Sequence, residues 1–264
     1  MIKSKLKLTL ANNLKPMKRT FGLIGYPLTP SFSRRFFTEK FANENLDAEY
    51  LNFEIPSIAD LPGLIVANPN LEGFNITIPY KEQIIPYLDE ISDAAKEIKA
   101  VNTVKIVRNG SSYSLHGYNT DIHGFQESIR PILLEHQKNG LVLGTGGASK
   151  AIVKALNNLG IETQLVSRSP KSNNEISYSS LDEQTLSHFS IIVNTSPIGT
   201  YPKVEESPEI PYAYINSNHL LFDLVYNPEV TAFLKQGIER GSTTKNGLEM
   251  LHLQALAAWD IWNK

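Results

Sequence analysis

The chain has 264 residues, 41% apolar and 20% charged, a length that fits one large domain or two ordinary ones of roughly 150 residues. Cysteine is absent, which excludes disulfides, thiolate metal sites and thiol catalysis. Twenty-five basic against 27 acidic residues give a net charge of −2, which argues against a nucleic-acid-binding protein. No stretch approaches the ~18 consecutive apolar residues of a spanning helix. Lysines interrupt the start before a signal core develops, so the expected class is a soluble, cytoplasmic globular protein with no membrane partner.

Residues 1–18 read as a basic leader of no assigned role. Residues 20–25 are a short apolar run ended by Gly25 and Pro27, a buried strand. Phe36, Phe37, Phe41 and Leu46 follow at near-helical spacing, entered through Ser33. Residues 48–55 alternate in period two, residues 57–67 look helical, and residues 74–78 form a strand stopped by Pro79. Alternating strands and helices predict a parallel or mixed α/β sheet. Residues 103–107 and 113–115 form a hairpin around Asn109-Gly110, and a helix is expected over 122–137. A second strand–helix series begins at 141–143 and recurs at 163–167, 191–194 and 220–224, with 169–180 a surface loop. Residues 247–262 close the chain as a helix. Two α/β halves therefore join near residue 121.

The run Leu141-Val142-Leu143-Gly144-Thr145-Gly146-Gly147-Ala148-Ser149 carries an apolar strand into a glycine-rich turn and a helix. Gly144 permits the tight turn and Gly146 a close backbone approach to a pyrophosphate, while the helix aims its positive end at that anion. The third fingerprint position is Ser149 rather than glycine. About twenty residues on, a nicotinamide site specific for NAD would carry an acid. Here the strand tip is Ser167-Arg168-Ser169 with Lys171 beyond, which suits a 2′-phosphate. Taken singly, Lys81 is a surface charge, Asp121 a helix N-cap, and Ser31, Ser33, Asn102 and Thr103 loop or cap residues. Gln254 falls on the apolar side of the last helix, where it needs a partner. The six histidines show no metal pattern, and no Gly-x-Ser-x-Gly elbow occurs.

Read in order, seven blocks change those single-residue readings. They are Gly73-Phe74-Asn75-Ile76-Thr77-Ile78-Pro79-Tyr80-Lys81, Ala100-Val101-Asn102-Thr103, Gly117-Tyr118-Asn119-Thr120-Asp121 and Leu143-Gly144-Thr145-Gly146-Gly147-Ala148. Asn194-Thr195-Ser196-Pro197-Ile198-Gly199, Asp223-Leu224-Val225-Tyr226-Asn227-Pro228 and Gly247-Leu248-Glu249-Met250-Leu251, with Gln254, complete the set. From about Phe21 to Trp262 the chain resembles the shikimate dehydrogenase family. The resemblance implies a two-domain α/β fold. An N-terminal substrate domain with a mainly parallel sheet (19–121, rejoined by 244–264) would be interrupted by a Rossmann-type NADP domain (122–243).

It also implies a reaction, the NADP(H)-dependent interconversion of 3-dehydroshikimate and shikimate. Lys81 and Asp121 look like the family's catalytic pair. Ser31 and Ser33, with Tyr226 nearby, match the groups that hold the substrate carboxylate. Thr77, Asn102, Asp121 and Gln254 match those that hold the ring hydroxyls. Gly144, Thr145, Gly146, Gly147 and Ala148, the tip Ser167, Arg168 and Ser169, and Thr195 and Gly247 fall to the cofactor. No metal is implied, and the assembly is a monomer or homodimer. The run Thr29-Pro30-Ser31-Phe32-Ser33-Arg34 departs from the family, which usually has His before the first serine and Pro after the second. The family's Asn-Arg-Thr tip is Ser167-Arg168-Ser169 here. The alternatives are a quinate/shikimate dehydrogenase preferring NAD, against which Arg168 speaks, and a silent nucleotide-binding paralogue, against which Lys81 and Asp121 speak.

Overall fold

A strand buried on both faces of a sheet reads as a near-continuous apolar run, and residues 21–25 of β1 (Arg19–Gly25) are such a run, with Phe21 and Ile24 fully buried. The computed structural model describes residues 18–28, 32–110 and 112–264, so residues 1–17 of the leader expected over 1–18, and Ser31, lie outside the described residues. Two compact units emerge. One holds Thr103–His116 and the described residues up to Glu90; the other holds Ile91–Asn102 and Gly117–Lys264.

In the first unit β1 is followed by α1 (Phe32–Asn43), β2 (Ala48–Glu54), α2 (Leu61–Ala67), β3 (Leu71–Ile76) and the short β4 (Glu90–Ile91). The chain leaves through α3 (Asp93–Ile98) and returns as β5 (Thr103–Asn109) and β6 (Ser112–Tyr118). The sheet order is β2-β1-β3-β5-β6-β4, with β1 parallel to β2 and β3, and β5 antiparallel to β3. Helix α1 lays Phe37 and Phe41 onto this sheet. Phe37 stacks on Tyr50 at 4.7 Å, and Phe41 meets Phe21 at 5.9 Å. Each such ring contributes about 1.5–3 kcal/mol by leaving water. The expected helix over 57–67 begins as a 3-10 turn, Ile58–Asp60, entered through Ser57, whose side chain accepts from the Ala59 N–H.

The second unit continues with α4 (Thr120–Ile129), β7 (Asn139–Leu143), α5 (Gly147–Asn158), β8 (Glu162–Ser167), β9 (Glu175–Ser177) and α6 (Glu183–His188). It closes with β10 (Ile191–Asn194), β11 (Leu220–Asp223), α7 (Ala232–Ile238), β12 (Thr243–Asn246) and α8 (Leu248–Asn263). The strand order is β12-β11-β10-β7-β8-β9, parallel at every pairing. The winding reverses between β7 and β10, and ligands of such sheets bind beyond the carboxyl ends of the strands at that reversal. Alternate residues feed two cores. Val142, Val193 and Phe222 pack with Phe125 and Ile152, while Leu141, Ile192 and Leu221 pack with Leu186 and Phe233.

Two expectations change. The helix expected over 122–137 is α4 and stops at Ile129, because Pro131 in the following 3-10 turn lacks an N–H and cannot continue the ladder. The loop expected over 169–180 contains β9, which pairs with β8. Within the second unit, α8 packs along α4. Gly124 of α4 explains the closeness of α8: a Cβ there would stand 2.6 Å from the Met250 carbonyl oxygen. Among the described residues no helix is long and apolar enough to cross a membrane.

Candidate active site

In the first unit, Thr77 extends the β1–β3 ladder by one bond, its N–H donating to the Ile24 carbonyl at 3.0 Å. Gly25 makes room for it, since a Cβ there would stand 2.5 Å from the Thr77 methyl. The chain then turns, with the Tyr80 N–H donating to the Thr77 carbonyl at 2.9 Å. The buried Tyr80 phenol donates to the Ile55 carbonyl at 2.6 Å, so the residue before Lys81 is anchored to the end of β2. Lys81 follows in the turn, half-buried. Ser33, in the first turn of α1, is half-buried.

In the second unit, Asn102 is 3% exposed and fully engaged. Its Oδ1 accepts from the Thr120 N–H at 2.8 Å and from Thr120 Oγ1 at 3.2 Å, and its Nδ2 donates to Gln254 Oε1 at 3.1 Å. Gln254 thus has the partner that its place on an apolar helix demanded. The cap of α4 is Asn119, not Asp121: Asn119 Oδ1 accepts from the Ile122 N–H at 3.3 Å, and its Nδ2 donates to the Ala100 carbonyl at 3.0 Å. Asp121 is buried in the first turn, where the positive helix end favours a carboxylate.

The glycine-rich turn lies at the sheet's reversal. Gly144 has φ +111° and its N–H donates to the Val166 carbonyl at 2.9 Å. A Cβ there would stand 3.0 Å from Thr195 Oγ1. Thr195 follows β10 and donates both its N–H (3.0 Å) and its hydroxyl (2.8 Å) to the Leu143 carbonyl. Helix α5 starts after Gly146 with no side-chain cap, and nothing lies within 4 Å of a Cβ built on Gly146 or Gly147. An uncapped helix N-terminus with that clearance fits a dinucleotide pyrophosphate. Thr145 is exposed and Ala148 half-buried at its rim. At the end of β8, Ser167 Oγ accepts from the Ser169 N–H at 3.2 Å, while Arg168 and Ser169 face solvent. Gly247 has a packing role of its own, because a Cβ there would meet the Leu224 carbonyl oxygen at 2.3 Å.

A buried network escaped the sequence reading. Asp223 Oδ1 accepts from Asn194 Nδ2 at 2.9 Å and from the Val225 N–H at 3.0 Å; its Oδ2 accepts from Thr231 Oγ1 at 2.6 Å. Burial pushes its carboxyl up to about 6, against the pull of those three donors. Asn194 Oδ1 in turn accepts from the Ser196 N–H (3.1 Å) and hydroxyl (2.7 Å). The network therefore fixes both the loop carrying Thr195 and the segment leading to the half-buried Tyr226. The available signal was that two apolar runs, 191–193 and 220–222, each end in a side chain able to bond the other across a strand pair.

Residues 23–104 match the family model for the shikimate dehydrogenase substrate binding domain. The chain is 39% identical over 259 residues to the shikimate dehydrogenase (NADP(+)) of Methanococcus aeolicus, covering 92% of this chain and 91% of that relative. The crystal structure of shikimate dehydrogenase from Aquifex aeolicus superposes with a TM-score of 0.81 at 34% identity, over 95% of this chain and 94% of that one. The shikimate dehydrogenase of Thermus thermophilus in complex with NADP(H) and shikimate gives 0.80 at 28% identity, over 92% and 93%. The chain belongs to the shikimate dehydrogenase family, the NADP-dependent oxidoreductases that act on a CH–OH group.

Proposed function

We propose that this protein reversibly reduces 3-dehydroshikimate to shikimate with NADPH, in a substrate half comprising 19–121 with 244–264 and a cofactor half comprising 122–243. The observation that carries the reading is the open, uncapped start of α5 beside Gly144 and Thr195 at the reversal of a parallel sheet. When bound there, the nicotinamide supplies the hydride. Negative charge then develops on the substrate's carbonyl oxygen. Lys81 stabilises that charge with its ammonium and delivers the proton, and Asp121 keeps the lysine oriented and cationic.

Thr77, Asn102, Asp121 and Gln254 hold the ring hydroxyls. Short hydroxyl and amide groups suit this work because an analogue lacking a hydroxyl would leave them unpaired. Asn102 supports the role through its bonds to Thr120 and Gln254, which set where both amides point. Ser31, Ser33 and Tyr226 hold the carboxylate. Gly144–Ala148, Thr195 and Gly247 line the cofactor backbone, and Ser167, Arg168 and Ser169 take the 2′-phosphate. The enzyme works in the cytoplasm as a monomer or homodimer. The test is shikimate-dependent reduction of NADP by the purified chain, with NAD run in parallel.

A further inference from the structure

Asn194 and Asp223 end β10 and β11, stand opposite each other in the parallel register, and are fully buried. Valine or leucine would fill such positions without the cost of burying polar groups, so what the polar atoms hold has to account for them. The Asp223 carboxyl, pushed up to about 6 by burial, is ionised at neutral pH, and an ionised carboxylate only accepts. Thr231 Oγ1 donates to Oδ2 at 2.6 Å and itself accepts from the Leu234 N–H at 3.3 Å, which ties the carboxylate to the start of α7. Oδ1 is left for the Val225 N–H at 3.0 Å and Asn194 Nδ2 at 2.9 Å. Because Asp223 offers only acceptors, it dictates that the nitrogen end of the Asn194 amide faces it and that the oxygen end faces away. That oxygen takes the Ser196 N–H at 3.1 Å and hydroxyl at 2.7 Å, and Ser196 Oγ accepts from the Ile198 N–H at 3.4 Å.

We infer that Asp223 is a positioning residue for both ligands: through the Asn194 amide it sets the turn that carries Thr195, and through the Val225 N–H it sets the segment that carries Tyr226. The inference rests on the reading of Thr195 as a cofactor group and Tyr226 as a carboxylate-binding group. Thr195 lies between two fixed points. Its own N–H and hydroxyl sit on the Leu143 carbonyl, and its neighbour Ser196 sits on Asn194. Tyr226 follows Val225, whose N–H is on Asp223 and whose carbonyl accepts from the Gly247 N–H at 3.4 Å. Alanine at 223 removes the acceptor of both arms. Asparagine keeps one oxygen to face Val225 and Asn194 while its amide nitrogen meets Thr231. Ser196→Ala cuts only the arm that leads to Thr195.

The experiment measures shikimate oxidation by the whole chain carrying Asp223→Ala, Asp223→Asn or Ser196→Ala, and titrates NADPH binding by fluorescence. Wild-type turnover tests the functional reading separately, and the NADPH titration reads the cofactor arm without turnover. Asp223→Ala should raise the KM for NADP and the KM for shikimate about three- to tenfold each, the scale of one hydrogen bond lost in each arm. Asp223→Asn should bring both back to within about threefold of wild type. Ser196→Ala should raise the NADP KM and the NADPH Kd about three- to tenfold and leave the shikimate KM within about twofold. A residue that only stabilises the fold would lower the active fraction, and with it the apparent kcat, at unchanged KM values. That pattern, a rise in only one KM for Asp223→Ala, no recovery in Asp223→Asn, or a shikimate KM that follows Ser196→Ala would overturn the proposal. If Asp223→Ala does not fold, Ser196→Ala still decides. A NADP KM and NADPH Kd that stay put there overturn the proposal equally.

Discussion

Asn102 and Gln254, 152 positions apart, share a hydrogen bond of 3.1 Å, with the Asn102 amide donating and the Gln254 amide accepting. The other end of the Asn102 side chain receives the first N–H of α4. One buried amide thus ties the segment before β5, the helix carrying Asp121 and the closing helix to a common point.

Asn102→Ala should therefore act on both stability and recognition. Leaving the Thr120 N–H buried without its acceptor costs about 1–3 kcal/mol. Gln254 also loses the group that orients it, so the shikimate KM should rise as well. Denaturant unfolding and steady-state kinetics read the two effects. A variant as stable as the wild type, with unchanged KM, would mean that the bond orients nothing.

Lys81→Ala should lower kcat far more than it raises KM, because proton delivery and charge stabilisation matter most in the transition state. General acid–base work implies a loss of roughly a hundredfold or more. If kcat survives and only KM rises, Lys81 binds substrate and does not carry the proton.

The parts of this molecule that were legible in its sequence share one property: burial on both sides writes a continuous apolar run. Strands β1, β7, β10 and β11 and the glycine turn after Leu143 were found that way. Strand β12 (Thr243–Asn246) consists of half-buried polar residues and has no such signature. The short α6 buries only Leu186. Asp121 was read as the cap that Asn119 makes, because a shift of two residues cannot be judged without the backbone. Gly247 was placed with the cofactor, but nothing local announces that its missing side chain makes room for the Leu224 carbonyl. Asp223 was missed for a similar reason: its Asn194 partner stands 29 positions away, on the neighbouring strand.

Asp223 predicts a pH dependence. Burial lifts its carboxyl from 3.8 to about 6 in the folded chain. Between those values the folded state holds a proton that the unfolded state has released. The contribution to stability is thus fully present below 3.8 and lost as pH rises through about 6. Asp223→Asn cannot titrate, and its amide would point donors at Asn194, Val225 or Thr231, so the variant should be the less stable throughout. The gap between wild type and variant should be widest near pH ~4 and narrower near pH ~7, as followed by urea unfolding. A gap that is flat, or that widens with pH, would contradict the assignment.

The proposed function assigns the cofactor's 2′-phosphate to Arg168. A charge-assisted arginine–phosphate contact is worth about 1.5–3 kcal/mol, roughly ten- to hundredfold in preference. Arg168→Ala should raise the KM for NADP by that order and leave the KM for NAD nearly unchanged, as paired titrations of the two cofactors would show. An equal effect on both would place Arg168 away from the 2′-phosphate.

The most direct measurement is the kcat/KM of the purified wild-type chain for NADP and for NAD, with shikimate as the reductant and nicotinamide absorbance as the readout. The account predicts rapid shikimate-dependent reduction of NADP, favoured over NAD by about tenfold or more. Binding of NADPH without turnover, or equal kcat/KM for the two cofactors, would contradict it.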